Sequence, residues 1–387
     1  MSIKAVHTIN AFTATSGGTS TCTYDLLSAL NTGQIVQAEV VVCQPKEPLM
    51  GQGEEWIIPV ENDEKTTFGV TRNLRKALEQ TNADIYHTNG LWRYCNHVTA
   101  VIARKKGTPF VITPHGMLYP QALERSKWQK RAMKWALFDR DIQEAACIHV
   151  TCEEEMQVVR ALGYTNPIAV IGNPVRMPNE LKGENVWKSG RGKNGEKVCF
   201  GYLGRLHPRK QTERIIEAMA LLKQEERDAC ELVIMGTGEI SYETFLRRQV
   251  AEKELNNVRF LGFVDSEEKQ RQLATLSALF VPSDFENFGM IIAEALSCGT
   301  PVFASTGTPW KVLNEKGCGW WQEASPENIA KVMQEILATD TKKIDEMGRI
   351  GQLLIAECFS MKAVARQMED LYKWIVTKQS KPTFVYE

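Results

Sequence analysis

The chain has 387 residues, a formal net charge of −1, and 43% hydrophobic against 24% charged residues. That length suits two domains of roughly 150–200 residues each, and the balanced charge makes no electrostatic offer to nucleic acid, which is not expected as a partner. No apolar run approaches the roughly 20 residues that span a bilayer, and the first residues, MSIKAVHTIN, lack the apolar core of a signal segment, so the protein is expected in the cytoplasm. In chain order, "IKAVHTI" reads as a strand and "SGGTSTCTYDLLSAL" as a glycine loop opening a helix. "AEVVVCQP", "ADIYHTNG", "PFVITPHG", "CIHVTC" and "IAVIGNP" follow as short β-branched runs with helical stretches among them. This alternation predicts a parallel α/β sheet with helices on both faces.

Residues 173–197, "NPVRMPNELKGENVWKSGRGKNGEK", have the prolines, glycines and charges of a linker. The alternation then restarts with "VCFGYLG", "ELVIMG", "VRFLGFV", "ALFVPS" and "TPVFAS". The expected organisation is thus a first domain over 1–172, a linker over 173–197 and a second domain over 198–360. A last amphipathic segment, "MKAVARQMEDLYKWIV", could pack on any apolar surface. Two open, doubly wound, Rossmann-like domains make a cleft, and ligands in such sheets sit beyond the carboxyl ends of the strands. The ten cysteines show no CxxC pair and no zinc spacing, and read as reduced, buried thiols.

The polar residues that follow strands carry the chemistry. In "FGYLGRLHPRKQTERIIEAM", Gly204 turns the chain and Arg205 and Lys210 flank a short loop before a helix. Two cations at a helix N-terminus form an anion site, because the free amides and the helix dipole add to the formal charges. Gly17 and Gly18, in "SGGTS", permit a close backbone approach to a ligand, although an ordinary strand-to-helix turn would read the same way. "MGTGE" at 235–239 is a similar signal. In "SDFENFGMIIAEALSCGTPV", Glu286 precedes a helix expected to begin near Phe288 or Gly289, with Asn287 as its cap. Glu294 lies eight positions after Glu286, among apolar neighbours, and as a semi-buried carboxylate it needs a partner. Carboxylates suit diols because they accept two donors at once.

Taken together, "GRLHPRK", the E-x7-E pattern "ENFGMIIAE", "FVPS" before it and "GTPVFAS" after it resemble the retaining glycosyltransferases of the glycogen-synthase-like type, family 4, which have the GT-B fold. "HTNGLWRYCNH", "TPHGMLYPQAL", "GNPV" and "TPWKVLNEKGCGWW" resemble the polysaccharide and lipopolysaccharide assembly branch. The resemblance implies a UDP- or GDP-sugar donor, a glycan or lipid-linked acceptor, and no further cofactor. It implies that Arg205 and Lys210 bind the donor diphosphate and that Glu286 meets the donor sugar near the reacting carbon. Asn287, Phe288 and Gly289 would present amides to sugar or phosphate, Glu294 would hold the ribose, and Val264 would meet the base through its backbone. Gly17 and Gly18 would close on the diphosphate, and His115, in "TPHG", matches the family histidine near the donor sugar. The resemblance also implies that the C-terminal helix, about 361–387, packs back on the first domain, and that no metal is used. "DRD" at 139–141 matches the DxD string of a different, metal-dependent fold, but here it falls in a charged helical stretch.

Two further features stay open at the level of sequence. Over 124–141, "ERSKWQKRAMKWALFDRD", Lys127, Lys130, Arg131 and Lys134 share a helix with Trp128, Trp135, Leu137 and Phe138. This is either a solvated face over a core stripe or a surface that rests on an anionic membrane or a lipid-diphosphate acceptor, giving a peripheral location at the inner face of the membrane. His87 and His97 either line an acceptor cleft or are structural. The rival functions are a nucleotide-sugar epimerase or a phosphorylase on the same architecture, and a non-catalytic glycan-binding protein.

Overall fold

A computed structural model describes residues 2–178 and 197–387, apart from Gln34, Lys46, Glu64, Lys65, Thr67 and Arg125. The strands are β1 Ile3–Ile9, β2 Val36–Cys43, β3 Ile57–Val60, β4 Ile85–Asn89, β5 Phe110–Thr113, β6 Cys147–Val150, β7 Ile168–Val170, β8 Val198–Leu203, β9 Cys230–Met235, β10 Val258–Gly262, β11 Ala278–Val281, β12 Val302–Ser305, β13 Gly319–Gln322 and β14 Val385–Tyr386. They fall into two units, one comprising Met1–Pro174 with Met361–Glu387, the other Val175–Ser360. Most of the expected linker, 179–196, lies outside the described residues. Val175, near its start, is buried, and its amide donates to the Phe359 carbonyl at 2.8 Å.

In the first unit the sheet order is β14-β7-β6-β5-β4-β1-β2-β3, parallel throughout except for β14, which runs antiparallel to β7. Side chains alternate across it: Ala5 and Ile9 of β1 enter one apolar cluster and Val6 the opposite one. Both faces are covered, which is why these strands read as nearly continuous apolar runs. The helix Met361–Thr377 lies on the Ala5 face, beside the helix Gly18–Thr32. Its Val364, Met368, Leu371, Tyr372 and Ile375 form one stripe at helical spacing, all buried.

The second unit has an all-parallel sheet of order β10-β9-β8-β11-β12-β13. Its first strand, β8, lies in the middle. The order reverses between β8 and β11, and a ligand crevice opens at such a switch point, beyond the carboxyl ends of the two strands. In the first unit the same reversal falls between β1 and β4. Among the described residues, no helix is long and apolar enough to cross a membrane. Among the described residues no cysteine forms a disulfide, and of the ten only Cys358 is exposed.

Candidate functional site

In the second unit, the loops after β8 and β11 meet at the switch point. After β8 the chain turns at Gly204, crosses Arg205 and Leu206, and forms a short 3-10 turn, Pro208–Lys210, before the helix Thr212–Leu221. This loop is pinned from beneath by the loop after β9. Gly204 donates to the Met235 carbonyl at 3.1 Å and Leu206 to the Thr237 carbonyl at 2.9 Å. A Cβ on Gly236 or Gly238 would lie 1.9 Å from the Gly204 or Leu206 carbonyl oxygen. The glycines of "MGTGE" are therefore accounted for by backbone packed on backbone. Arg205, at the crest, is exposed.

The loop after β11 brings Glu286 to Lys210. Lys210 Nζ donates to Glu286 Oε1, and Ser283 Oγ donates to the same oxygen at 2.8 Å. The Glu286 backbone is held as well, its amide donating to the Gly307 carbonyl at 2.9 Å. Asp284 ties the two loops a second time: its amide donates to the Arg209 carbonyl at 3.1 Å, and its carboxylate accepts from Gln211 at 2.8 Å. The Lys210 side chain is 31% exposed and that of Glu286 15%, so the pair is half-screened from water and still open to a ligand.

The helix begins later than expected. It spans Met290–Ser297, and the residue before it is Gly289 in the left-handed region at φ 79°, not Asn287. A side chain at Gly289 would be strained there, and its Cβ would meet Ile292 at 3.0 Å. Phe288 is turned inward, its ring against Trp310 and Phe359, and its carbonyl accepts from the Trp310 indole. The amides of Phe288 and Gly289 make no hydrogen bond among the described residues, and they sit at the positive end of the helix. On the helix, Glu294 finds the partner its apolar neighbours demand: Lys269 Nζ at 2.8 Å, from the helix Ser266–Thr275. Nothing in the motif pointed to Lys269. Val264 follows the turn at Gly262, φ 72°, and is half-buried, while Phe263 beside it is 79% exposed.

In the first unit, Gly17 adopts φ 87° and caps the helix Gly18–Thr32, with open space where a Cβ would stand. His115 follows β5 and Pro114 in the left-handed region, φ 51°. The strained turn is clamped by Glu155, fully buried, whose carboxylate accepts from the amides of Gly116 at 2.5 Å and Thr151 at 2.9 Å. His115 Nε2 is 3.3 Å from Asn89 Oδ1. Loss of hydration, followed by the neighbouring His149, lowers its pKa to about 3, so the ring is neutral at pH 7. His87 does not line a cleft: it is fully buried in β4 and bonded to Tyr372 and Thr113. His97 is bound to Asp141, Nδ1 to Oδ2 at 2.6 Å.

That carboxylate belongs to "DRD". Asp141 also pairs with Arg104 at 2.8 Å, and Asp139 accepts from the Tyr164 hydroxyl at 2.6 Å. Both acids are thus engaged in structural contacts. Among the described residues, no group of three or more His, Cys, Asp or Glu side chains is disposed to hold a metal.

Two family models match the chain: Glycosyl transferase 4-like domain over residues 17–174 and Glycosyl transferases group 1 over residues 184–353. The O-antigen chain mannosyltransferase B of Escherichia coli is 28% identical over 44% of this chain and 45% of that protein. The D-inositol 3-phosphate glycosyltransferase of Jonesia denitrificans is 26% identical over 72% of this chain and 65% of that protein. The chain thus spans less than two thirds of the length of either relative. Among solved structures, Anabaena Alr3699/HepE in complex with UDP and glucose superposes with a TM-score of 0.73 at 20% identity, over 95% of this chain and 99% of that one. The lipopolysaccharide outer core galactosyltransferase WaaB gives 0.69 at 17% identity, over 98% and 100%.

Proposed function

This chain belongs to the family 4 glycosyltransferases of GT-B fold, and on that premise we propose that it moves a hexose or N-acetylhexosamine from a UDP- or GDP-sugar to a glycan or lipid-linked acceptor. The transfer proceeds with retention and without a metal ion, in the assembly of surface polysaccharide or lipopolysaccharide. The observation that carries this reading is the meeting of Lys210 with Glu286 at the switch point of the second unit, on the loop that also carries the exposed Arg205. Two of the charges that the reaction needs are brought together there from two loops.

In the reaction, the bond from the anomeric carbon to the diphosphate oxygen breaks and one to the acceptor oxygen forms. Negative charge grows on the departing phosphate, positive charge on the sugar. Arg205 and Lys210 answer the first, Glu286 the second, and fixed charges act most strongly as that separation develops. The Phe288 and Gly289 amides add donors for phosphate or sugar oxygens. The leaving phosphate takes the acceptor proton, which gives transfer on the same face. Glu294, with Lys269 on one oxygen, keeps the other for the ribose diol. Val264 meets the base. Support for the donor and acceptor classes comes from relatives named for GDP-mannose, O-antigen chain and lipopolysaccharide outer core, and from a UDP complex.

Lipid-linked acceptors would bring the protein to the inner face of the membrane. The segment over 124–141 suits that location. Trp128 and Trp135 are 77% and 84% exposed, seven positions apart, and Lys127 and Arg131 of the same stretch are exposed as well.

The test is a thermal-shift series with UDP, GDP, ADP and CMP in the presence of EDTA. One nucleotide diphosphate is expected to raise the melting temperature, since a ligand at a hundred times its Kd adds about 2.7 kcal/mol. The double variant Arg205→Ala, Lys210→Ala should lose the shift. No shift at saturation from any nucleotide would overturn the donor reading.

A further inference from the structure

Beneath His115 the first unit holds an unbroken hydrogen-bonded chain of buried polar groups. His7 and His87 face each other in register on β1 and β4, their ring centroids 4.5 Å apart. Tyr372, from the C-terminal helix, bonds both: Oη lies 2.8 Å from His7 Nε2 and 2.6 Å from His87 Nδ1. His87 Nε2 reaches Thr113 Oγ1 at 2.6 Å, Thr113 Oγ1 reaches His149 Nδ1 at 2.8 Å, and His149 Nε2 ends on the Ile171 carbonyl at 2.8 Å. At the other end, His7 Nδ1 lies 3.3 Å from Asn89 Nδ2, and Asn89 Oδ1 lies 3.3 Å from His115 Nε2.

With neutral rings, the proton positions follow from the two ends. A carbonyl only accepts, so His149 carries its proton on Nε2 and its Nδ1 accepts from Thr113. Thr113 then accepts from His87 Nε2–H, His87 Nδ1 accepts from Tyr372, and Tyr372 accepts from His7 Nε2–H. His7 Nδ1 is left to accept from the Asn89 amide. The Asn89 orientation is set independently, because its Nδ2 also faces the Thr8 carbonyl at 3.3 Å. Both arguments point Oδ1 at His115, which must donate from Nε2. His115 Nδ1, which makes no hydrogen bond among the described residues, is then a bare lone pair.

We propose that Asn89 is a positioning residue that fixes His115 as its Nε2–H tautomer and leaves Nδ1 a hydrogen-bond acceptor, and that the relay through Tyr372 holds Asn89 in that orientation.

The experiment reads the tautomer directly. In 15N-histidine-labelled protein at pH 7, long-range proton–nitrogen correlation should show His7, His87, His115 and His149 neutral, each with a slowly exchanging proton on Nε2. Asn89→Leu and Tyr372→Phe should each bring the His115 proton into fast exchange with water. A His115 proton on Nδ1, a doubly protonated ring, or a His115 signal unmoved in both variants overturns the proposal.

Discussion

Lys210 and Glu286 stand 76 positions apart and form one unit of charge. The lysine is held before any ligand arrives, so it can meet a phosphate without searching its rotamers. The carboxylate accepts from both Lys210 and Ser283 on one oxygen, which leaves the other for a substrate. Glu286→Gln keeps the shape and removes the charge. It should leave the nucleotide-induced thermal shift within a few tenths of its wild-type size and lower kcat by about 100-fold, the scale of losing one electrostatic contact to a transition state. Unchanged turnover would remove Glu286 from the chemistry. The motif alone identified both residues as candidates, but it said nothing of their pairing. Nor did it identify Ser283, Lys269 or Asn89, whose roles are contacts and leave no periodicity.

At the scale of elements, the helical stretch after Ser126 divides its aromatics. Phe138 goes to the core, and Leu137 packs partly against it, while Trp128 and Trp135 face outward. A π turn spans Lys134–Phe138, and within it Trp135 faces outward while Phe138 faces the core. Of the four basic residues, Lys134 is drawn to Asp139 at 3.1 Å, Lys130 to the Ala122 carbonyl and the exposed Lys127 to Glu124 at 3.6 Å, while Arg131 is exposed on the same stretch as the tryptophans. Trp128→Ala with Trp135→Ala should weaken binding to vesicles containing anionic lipid by tenfold or more, roughly 1.4 kcal/mol, and leave the nucleotide thermal shift unchanged. Cosedimentation with vesicles checks it, and equal binding of wild type and variant would argue for a merely solvated face. The sequence does not say which way the tryptophans turn; packing turns both outward, and vesicle binding decides between the two readings.

At the scale of the whole molecule, the buried histidines tie stability to pH. Burial, with lesser repulsion from His149, lowers His7 to about 3, burial lowers His149 to about 4, and His87 is well below its ordinary value for the same reason. With His115 they are neutral when folded and take up protons near pH 6.5 when unfolded. The unfolded chain therefore binds more protons below pH 6.5, and stability falls as pH falls. Their stabilisation is full above that value and is lost progressively toward the folded pKa values, by up to about 1.4 kcal/mol per pH unit for each group. Urea titrations at pH 7 and pH 4.5 should show a markedly lower midpoint in acid. All four lie in the unit of Met1–Pro174 and Met361–Glu387, so that unit is expected to open first. An equal or higher midpoint at pH 4.5 would contradict the burial of neutral rings.

The sequence by itself determined the features that are local. Alternating β-branched runs and helical stretches declare parallel α/β sheets, because side-chain periodicity is written residue by residue. Polar loops after strands mark ligand-facing turns, because the carboxyl ends of parallel strands collect there, and the ordered motifs identified the family. The tertiary structure decided what depends on register and on distant contacts. The helix start at Met290 follows from the left-handed turn that Gly289 supplies against Ile292 and Trp310. The glycines of "MGTGE" serve a neighbouring backbone. Tyr372 reaches His7 across 365 positions because one apolar stripe lays the last helix on the first sheet. Such contacts join residues whose sequence neighbourhoods contain no trace of each other, so only the packed chain reveals them.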